Sequence, residues 1–321
     1  MILALRIRRS MILLVGLALV CVFPRHLLGA SPTPGPTPAA ATAAPSMASI
    51  VITSHGARMN GLIYRAAGEG PHPVALFLHG FPGYEKNLDL AQAVRRAGWD
   101  AVYFDYRGSW GSGGTFSFNN SIEDVATALA WIRTPANASA HHLDPSRIAI
   151  VGHSFGGWLA LLTARREPVT VCVAAIAAWN VGWGAQRLPQ HPDERAAMEE
   201  DFRDNTDPAG GPLRTTAEAL LKEMTSAPAD WDYVSSVDVL KGRALLLVAA
   251  SRDTPDEDPA MHERLAAAVR AAGGSQVQSV ALEDDHSFSA TRLRLGELLV
   301  QWLQTDCAKS QVPSTRSASA L

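Results

Sequence analysis

The sequence predicts an α/β fold in which a mostly parallel central sheet carries helices on both faces. The 321 residues are 47% hydrophobic and 18% charged, which is the composition of a globular protein. Short, nearly continuous apolar segments alternate with segments whose apolar residues recur at helical spacing. Apolar strands between helices are typical of a parallel sheet that is buried on both faces. The net charge of -3 gives no indication of a nucleic acid or other polyanionic partner.

The N-terminal segment is predicted to be export and linker sequence. Three arginines within the first nine residues precede an unbroken apolar run, Met11 to Phe23, and small residues follow. This is the layout of a secretory signal peptide, which we predict over residues 1–30. The run is shorter than the ~20 residues that span a bilayer, so an N-terminal membrane anchor is the alternative. Residues 31–46 are rich in Pro, Ala and Thr and predict an exposed linker.

We therefore expect a secreted or periplasmic protein with no stable membrane span after processing. The folded domain is predicted over residues 47–306, and the small, polar residues 307–321 predict a flexible tail.

The predicted strands are short and apolar, and the first two form a hairpin. In chain order they are Ser49–Thr53, Arg58–Ala66, Pro73–Leu78, Asp100–Phe104, Arg147–Val151, Val169–Ala177, Ala244–Ala249 and Gln276–Leu282. Helices are predicted from apolar residues at helical spacing. They lie at Leu88–Ala97, Ile122–Arg133, Trp158–Arg166, Glu263–Ala272 and Thr291–Leu303.

One region breaks the alternation of strands and helices. Residues 180–240 hold many charges, prolines and glycines, with helical segments near Glu194–Phe202 and Thr216–Met224. They stand between two predicted strands, where a short connection would suffice. We interpret them as an inserted helical cap.

The three cysteines fall in different parts of this scheme. Cys21 lies in the predicted signal peptide. Cys172 lies in an apolar strand, where a thiol can simply fill core volume. Cys307 lies near the C-terminus. Export would permit a Cys172–Cys307 disulfide, and the sequence leaves the pairing open.

Residues 152–156, Gly-His-Ser-Phe-Gly, fit the pattern G-x-S-x-G. Because a predicted strand precedes them and a predicted helix follows, Ser154 stands at a strand-to-helix junction. In a nucleophile elbow this turn is so tight that its flanking positions tolerate almost no side chain. The turn raises the serine hydroxyl over the N-terminus of the next helix. The alternative is a glycine-rich turn with an idle serine. We interpret Ser154 as a nucleophile.

A nucleophilic serine needs a base, and a histidine base needs a carboxylate that holds its tautomer. Among ten histidines, His286 is the candidate because it lies in a loop between the last predicted strand and the last helix. His262, in contrast, is predicted on a surface helix. Asp253 is the candidate acid because two residues separate it from a buried apolar strand. Three nearby carboxylates remain alternatives for this role: Asp256, Glu257 and Asp258.

Acyl transfer also needs two N–H groups that stabilise the oxyanion. The backbone of Phe155, directly after the serine, is one candidate donor. The other is Phe81, in the His-Gly-Phe-Pro-Gly loop after the strand that ends at Leu78. His79 opens that loop and is interpreted as a structural histidine. Trp110 and Trp179 are candidates for lining an apolar acyl pocket, with core packing as the alternative.

Five segments together resemble the serine α/β-hydrolase superfamily over residues 49–303, in order and in spacing. They are FLHGFPG, FDYRGSWGSGGTFS, VGHSFGG, VAASRD and DHSFS. The chain order Ser154, Asp253, His286 is also that of the fold. The DYRGSWGSGG segment is similar to the prolyl-oligopeptidase-like and dienelactone-hydrolase-like branches, which include S9-type peptidases and esterases.

The resemblance implies hydrolysis of an ester or amide through an acyl-enzyme, with neither metal nor cofactor. We expect a carboxylic-ester hydrolase that acts on small or medium acyl chains. An S9-type peptidase that acts on short peptides or aminoacyl amides is the enzymatic alternative. A catalytically silent α/β-hydrolase that serves as a binding protein is the alternative from another class.

Overall fold

The computed structural model describes residues 43–168, 171–253 and 260–311. The predicted signal peptide and most of the predicted linker lie outside the described residues. Within those three ranges, no helix has the length and hydropathy needed to cross a membrane.

An eight-stranded sheet forms the centre of the molecule, in the spatial order β1-β2-β4-β3-β5-β6-β7-β8. The first two strands run antiparallel, and the others are parallel to one another, as predicted. The strands are β1 Ser46–Ser54, β2 Ala57–Arg65, β3 His72–Leu78, β4 Asp100–Phe104, β5 Leu143–His153, β6 Cys172–Ile176, β7 Leu245–Ala250 and β8 Val277–Leu282.

Helices connect the parallel strands and cover both faces of the sheet. They are α1 Leu88–Arg96, α2 Phe118–Arg133, α3 Pro135–His141, α4 Phe155–Ala164, α5 Val181–Arg187, α6 Pro192–Asp204, α7 Ala217–Thr225, α8 Val237–Leu240, α9 Ala260–Ala271, α10 Arg292–Trp302 and α11 Ala308–Ser310. A π-helical turn, Leu303–Cys307, joins the last two.

Alternate residues of the central strands face the two hydrophobic layers, as the pleat of a strand requires. In β3, Leu76 belongs to the hydrophobic layer that includes residues of α2 and α4, whereas Phe77 belongs to the layer that includes residues of α1 and α10. Both side chains are almost fully buried. This two-sided burial explains why the strands are apolar throughout instead of alternating with polar residues.

Residues 180–240 lie between β6 and β7 and contain α5 to α8. A carboxylate ties this insertion to the body of the domain, because Glu223 of α7 accepts hydrogen bonds from the backbone N–H groups of Phe118 and Asn119, both at 2.8 Å. Ser117 caps the same helix start by accepting from the N–H of Asn120. The insertion is thus anchored at the N-terminus of α2.

The chain remains packed beyond residue 306, so the predicted tail is wrong in its first residues. Cys307 is fully buried and forms a disulfide with Cys172 of β6, with 5.6 Å between their Cα atoms. Gln311 donates a hydrogen bond from Nε2 to the carbonyl of Ile148, at 2.9 Å. The sequence suggested a tail because these residues are small and polar, but the disulfide holds them against the sheet.

Replacing both Cys172 and Cys307 with alanine is expected to lower the free energy of unfolding by about 2–4 kcal/mol. The reason is that the bond joins positions 135 residues apart and thereby restricts the unfolded chain. Calorimetric melting of the variant and of the oxidised wild type measures the loss. Wild type reduced with dithiothreitol is the matched control, since it retains both sulfur atoms. Equal melting temperatures for oxidised and reduced wild type would contradict the expectation.

Candidate active site

Ser154 occupies the sharp turn between β5 and α4. Its backbone has φ 55° and ψ −122°, a conformation that side-chain-bearing residues rarely adopt and that costs on the order of 1–3 kcal/mol. The turn is held by the N–H of Ser154, which donates to the carbonyl of Ile176 in β6 at 2.9 Å. Strain of this kind clusters at functional sites.

The glycines on either side of Ser154 are required by close backbone contacts. A Cβ atom at Gly152 would lie 2.0 Å from the carbonyl oxygen of Gly156. A Cβ atom at Gly156 would lie 2.1 Å from the carbonyl oxygen of Leu78. Neither position can hold a side chain without displacing backbone, which is the steric requirement of an elbow.

His286 and Asp253 come together at the carboxyl edge of the sheet. Asp253 follows β7 and His286 follows β8, and the Nδ1 atom of His286 lies 2.9 Å and 3.1 Å from the two carboxylate oxygens of Asp253. The Asp253 side chain is 1% exposed, and that of His286 is 31% exposed. Because the carboxylate accepts a hydrogen bond from Nδ1–H, Nε2 is the ring nitrogen that can accept a proton.

His153, the residue before Ser154, joins the histidine loop to the elbow. Its Nε2–H donates to the main-chain carbonyl of His286 at 2.8 Å, and the two imidazole rings are 4.7 Å apart. Burial, reinforced by the neighbouring His286, lowers the pKa of His153 to about 3. The structure therefore places His286 against the residue that precedes Ser154.

Asp284 shapes the loop that carries His286. Its carboxylate accepts hydrogen bonds from the hydroxyl of Thr291 and from the backbone N–H groups of Asp285, Ala290 and Thr291. The Thr291 hydroxyl is the largest cause that lowers the pKa of Asp284, to about 2. Arg292 adds a hydrogen bond to the carbonyl of Ser287 at 3.2 Å.

The loop after β3 passes directly over Ser154. A Cβ atom built on Gly80 would lie 3.1 Å from Cβ and 3.5 Å from Oγ of Ser154. Phe81, the predicted oxyanion donor, is the next residue. The other predicted donor, the N–H of Phe155, belongs to the first turn of α4, where a helix provides no internal acceptor. Both N–H groups thus belong to segments that meet at Ser154, and their role stays a prediction.

His79 supports this loop from within the core, as its structural interpretation requires. Its Nδ1 atom lies 2.8 Å from the carbonyl of Gly80, and burial lowers its pKa to about 4. Asp105 stands 3.9 Å from His79 Nε2 and accepts hydrogen bonds from Tyr103 and Lys86. A neutral His79 therefore supports the loop and stays out of the solvent.

The two predicted pocket tryptophans lie in different places. The Trp179 ring is 6.4 Å from the rings of Phe81 and Phe155, within an aromatic cluster at the elbow. Trp110 lies outside that cluster, where its Nε1–H donates to the carbonyl of Pro82 at 2.8 Å and its ring contacts Tyr84. Contact with substrate stays a prediction for both tryptophans.

The sequence prediction for His262 was wrong. It is 3% exposed, and its Nε2 accepts a hydrogen bond from the backbone N–H of Ala178 at 3.0 Å. Burial lowers its pKa to about 4. Charged neighbours on α9 suggested a solvent-facing helix, but Met261, His262 and Leu265 form its buried face.

The three alternative candidates for the triad acid, Asp256, Glu257 and Asp258, lie outside the described residues. In the part of the chain that the structure describes, no group of three or more His, Cys, Asp or Glu side chains is arranged to hold a metal ion.

Comparison with known proteins identifies one family and several solved structures of similar fold. A model described as "Alpha/beta hydrolase family" matches residues 75–292. An uncharacterized protein of Mycobacterium tuberculosis is 28% identical over 171 residues, which cover 52% of this chain and 59% of that protein. The chain thus matches less than two thirds of that relative's length.

Two solved esterase structures are similar in fold. Est1E from Butyrivibrio proteoclasticus, with ferulic acid bound, matches with a TM-score of 0.62 at 15% sequence identity. The match covers 81% of this chain and 99% of the Est1E chain. Brefeldin A esterase, a bacterial homologue of human hormone sensitive lipase, matches with a TM-score of 0.56 at 20% sequence identity. The match covers 86% of this chain and 80% of the esterase chain. At these identities the likeness is one of fold.

Proposed function

The chain belongs to the alpha/beta hydrolase family, and on that premise we propose that it is an exported serine hydrolase of carboxylic esters with small or medium acyl chains. The main support is a strained Ser154 at the elbow, directly after His153, whose ring packs 4.7 Å from that of His286. The Nδ1 atom of His286 is in turn held by the buried Asp253. This is the arrangement that activates a serine hydroxyl.

The proposed reaction has two halves. Ser154 Oγ attacks the ester carbonyl while Nε2 of His286 accepts the hydroxyl proton, and the backbone N–H groups of Phe81 and Phe155 stabilise the oxyanion. The C–O bond to the alcohol breaks, the proton passes from His286 to the leaving alcohol, and an acyl-Ser154 ester remains. Water, deprotonated by His286, then attacks that ester. The bond between the acyl carbon and Ser154 Oγ breaks, His286 returns the proton to Ser154 Oγ, and the carboxylic acid leaves. Asp253 keeps the imidazole in the required tautomer and stabilises its charged form.

The aromatic cluster favours an apolar acyl group. Phe81, Phe155 and Trp179 all lie near the elbow, with ring separations of 6.4 Å from Trp179 to each of the other two. Side chains of this type bind acyl chains by burying apolar surface. The two esterases of similar fold are consistent with an ester substrate.

The disulfide supports export. Structural disulfides persist in secreted and periplasmic proteins and are rare in a reducing cytosol. The Cys172–Cys307 bond joins a central strand to the C-terminal segment. Together with the predicted signal peptide, it favours an oxidising compartment over the cytosol.

A substrate panel tests the proposed function. Purified protein is assayed with p-nitrophenyl acetate, butyrate, hexanoate and decanoate, beside aminoacyl and prolyl p-nitroanilides. We expect kcat/KM to be highest among the short and medium esters. Amide turnover that exceeds ester turnover would contradict the ester assignment and favour a peptidase. No turnover of either class would favour a binding protein.

The helical insertion is expected to select among acyl chains. Phe202 of α6 is fully buried, and its ring lies 5.3 Å from that of Phe81. Replacing Phe202 with alanine removes a side chain beside the proposed acyl site, so we expect kcat/KM for hexanoate relative to acetate to rise about tenfold or more. The same ester panel measures that ratio.

The matched control is Leu220→Ala, which removes a buried side chain from α7 of the same insertion. It should lower stability and leave the ratio unchanged. An unchanged ratio in a folded Phe202→Ala variant would mean that the insertion does not shape the acyl site.

A further inference from the structure

We infer that His153 is a positioning residue, which holds the main-chain carbonyl of His286 and thereby fixes the base relative to Ser154. This inference rests on the proposed function, because it assigns a role within the same site. It concerns the variable position of the G-x-S-x-G pattern, which the proposed reaction does not use.

The hydrogen bond defines the tautomer of His153. A carbonyl oxygen can only accept, so the 2.8 Å contact requires a proton on Nε2 of His153. Nδ1 of a neutral ring is then a bare nitrogen. It is buried and has no hydrogen-bond partner among the described residues. The ring therefore makes one directed polar contact, and that contact is with His286.

The contact connects the two halves of the site. His153 ends β5 and precedes Ser154, whereas His286 lies 133 residues further along the chain, after β8. Because Ser154 follows His153 directly in the chain, a bond from His153 to the His286 backbone fixes the separation between nucleophile and base. Asp253 fixes the same histidine from the ring side, through Nδ1. His286 is thus held both at its imidazole ring and at its main-chain carbonyl.

The packing of the two rings is compatible only with a neutral His153. The ring centroids are 4.7 Å apart, and His153 is 4% exposed. A positive charge at this distance would oppose the imidazolium that His286 forms during acyl transfer. The fully buried ring of Phe288 lies 6.4 Å from that of His153. The low exposure of His153 leaves little water to stabilise a charged ring.

Two substitutions separate positioning from packing. His153→Leu fills the space and removes the donor. His153→Gln offers an amide N–H at nearly the same reach as Nε2 of histidine. We expect the leucine variant to lose about 10- to 100-fold in kcat for p-nitrophenyl acetate with little change in KM, because a small displacement of a catalytic group has effects of this size. We expect the glutamine variant to recover most of the loss. The control is His72→Leu. His72 is the first residue of β3, at the end of the strand away from the loop that passes over Ser154, so its replacement should leave kcat unchanged.

Two results would overturn the inference: a leucine variant with wild-type kcat, or a glutamine variant as impaired as the leucine variant, which would indicate packing alone. A nitrogen-15 NMR measurement on histidine-labelled wild type adds a test that needs neither substrate nor a variant. We expect the His153 proton on Nε2, and a proton on Nδ1 would contradict the contact. Absence of ester turnover by the wild type would instead contradict the proposed function, so the two failures are distinguishable.

Discussion

Ser154→Ala is expected to reduce ester turnover by about a millionfold, because no other group can form the acyl-enzyme. Stability should change little. Alanine replaces serine at the same strained backbone position, and the surrounding glycines already accommodate a small side chain. The measurement is kcat for p-nitrophenyl acetate together with the melting temperature of each protein.

The matched control for this variant is Ser121→Ala, which removes a buried serine hydroxyl from α2. It should retain kcat. The residual rate of Ser154→Ala should still exceed the rate in water, since the oxyanion donors and substrate binding remain. A folded Ser154→Ala protein with near-normal turnover would contradict the whole account of the site.

Asp253→Asn is expected to lower kcat by roughly four orders of magnitude, because the histidine then adopts the wrong tautomer. Both carboxylate oxygens of Asp253 face Nδ1 of His286, at 2.9 Å and 3.1 Å, and the side chain is almost completely buried. An asparagine amide in that position can donate its N–H₂ to Nδ1, which leaves Nε2 protonated and unable to act as a base. Steady-state kinetics with p-nitrophenyl acetate measures the loss.

Asp256→Asn and Asp258→Asn are the controls, because these residues were the alternatives for the same role. Both control variants should retain kcat close to that of the wild type. If Asp256→Asn lost its activity while Asp253→Asn kept it, the carboxylate that holds His286 would be Asp256 and not Asp253.

The sheet could be predicted from sequence because its signal is local. The segment predicted as Arg147–Val151 lies within β5, Leu143–His153, and the other strands likewise overlap their predictions. The helix α3, Pro135–His141, was not predicted. It has no buried residue and hence no apolar periodicity to reveal it. Of the strand predicted at Val169–Ala177, residues 169 and 170 lie outside the described residues.

The site could be predicted only in part. Gly152, Ser154 and Gly156 are recognisable because the steric needs of the elbow fall within five consecutive residues. His153 and Asp284 could not be assigned, because their hydrogen-bond partners are set by the folded chain. His153 bonds a carbonyl 133 residues away, and Asp284 turns away from the base to hold the backbone at Thr291. No spacing rule in the sequence reports such contacts.

Covalent labelling with a fluorophosphonate probe shows whether Ser154 is an activated nucleophile, because the probe reacts with such a serine whatever the natural substrate is. Purified wild-type protein is treated with the probe, weighed intact by mass spectrometry and digested to locate the adduct. We expect one adduct per chain, on Ser154, and none in Ser154→Ala. An unlabelled wild type, or an adduct on a different serine, would contradict it.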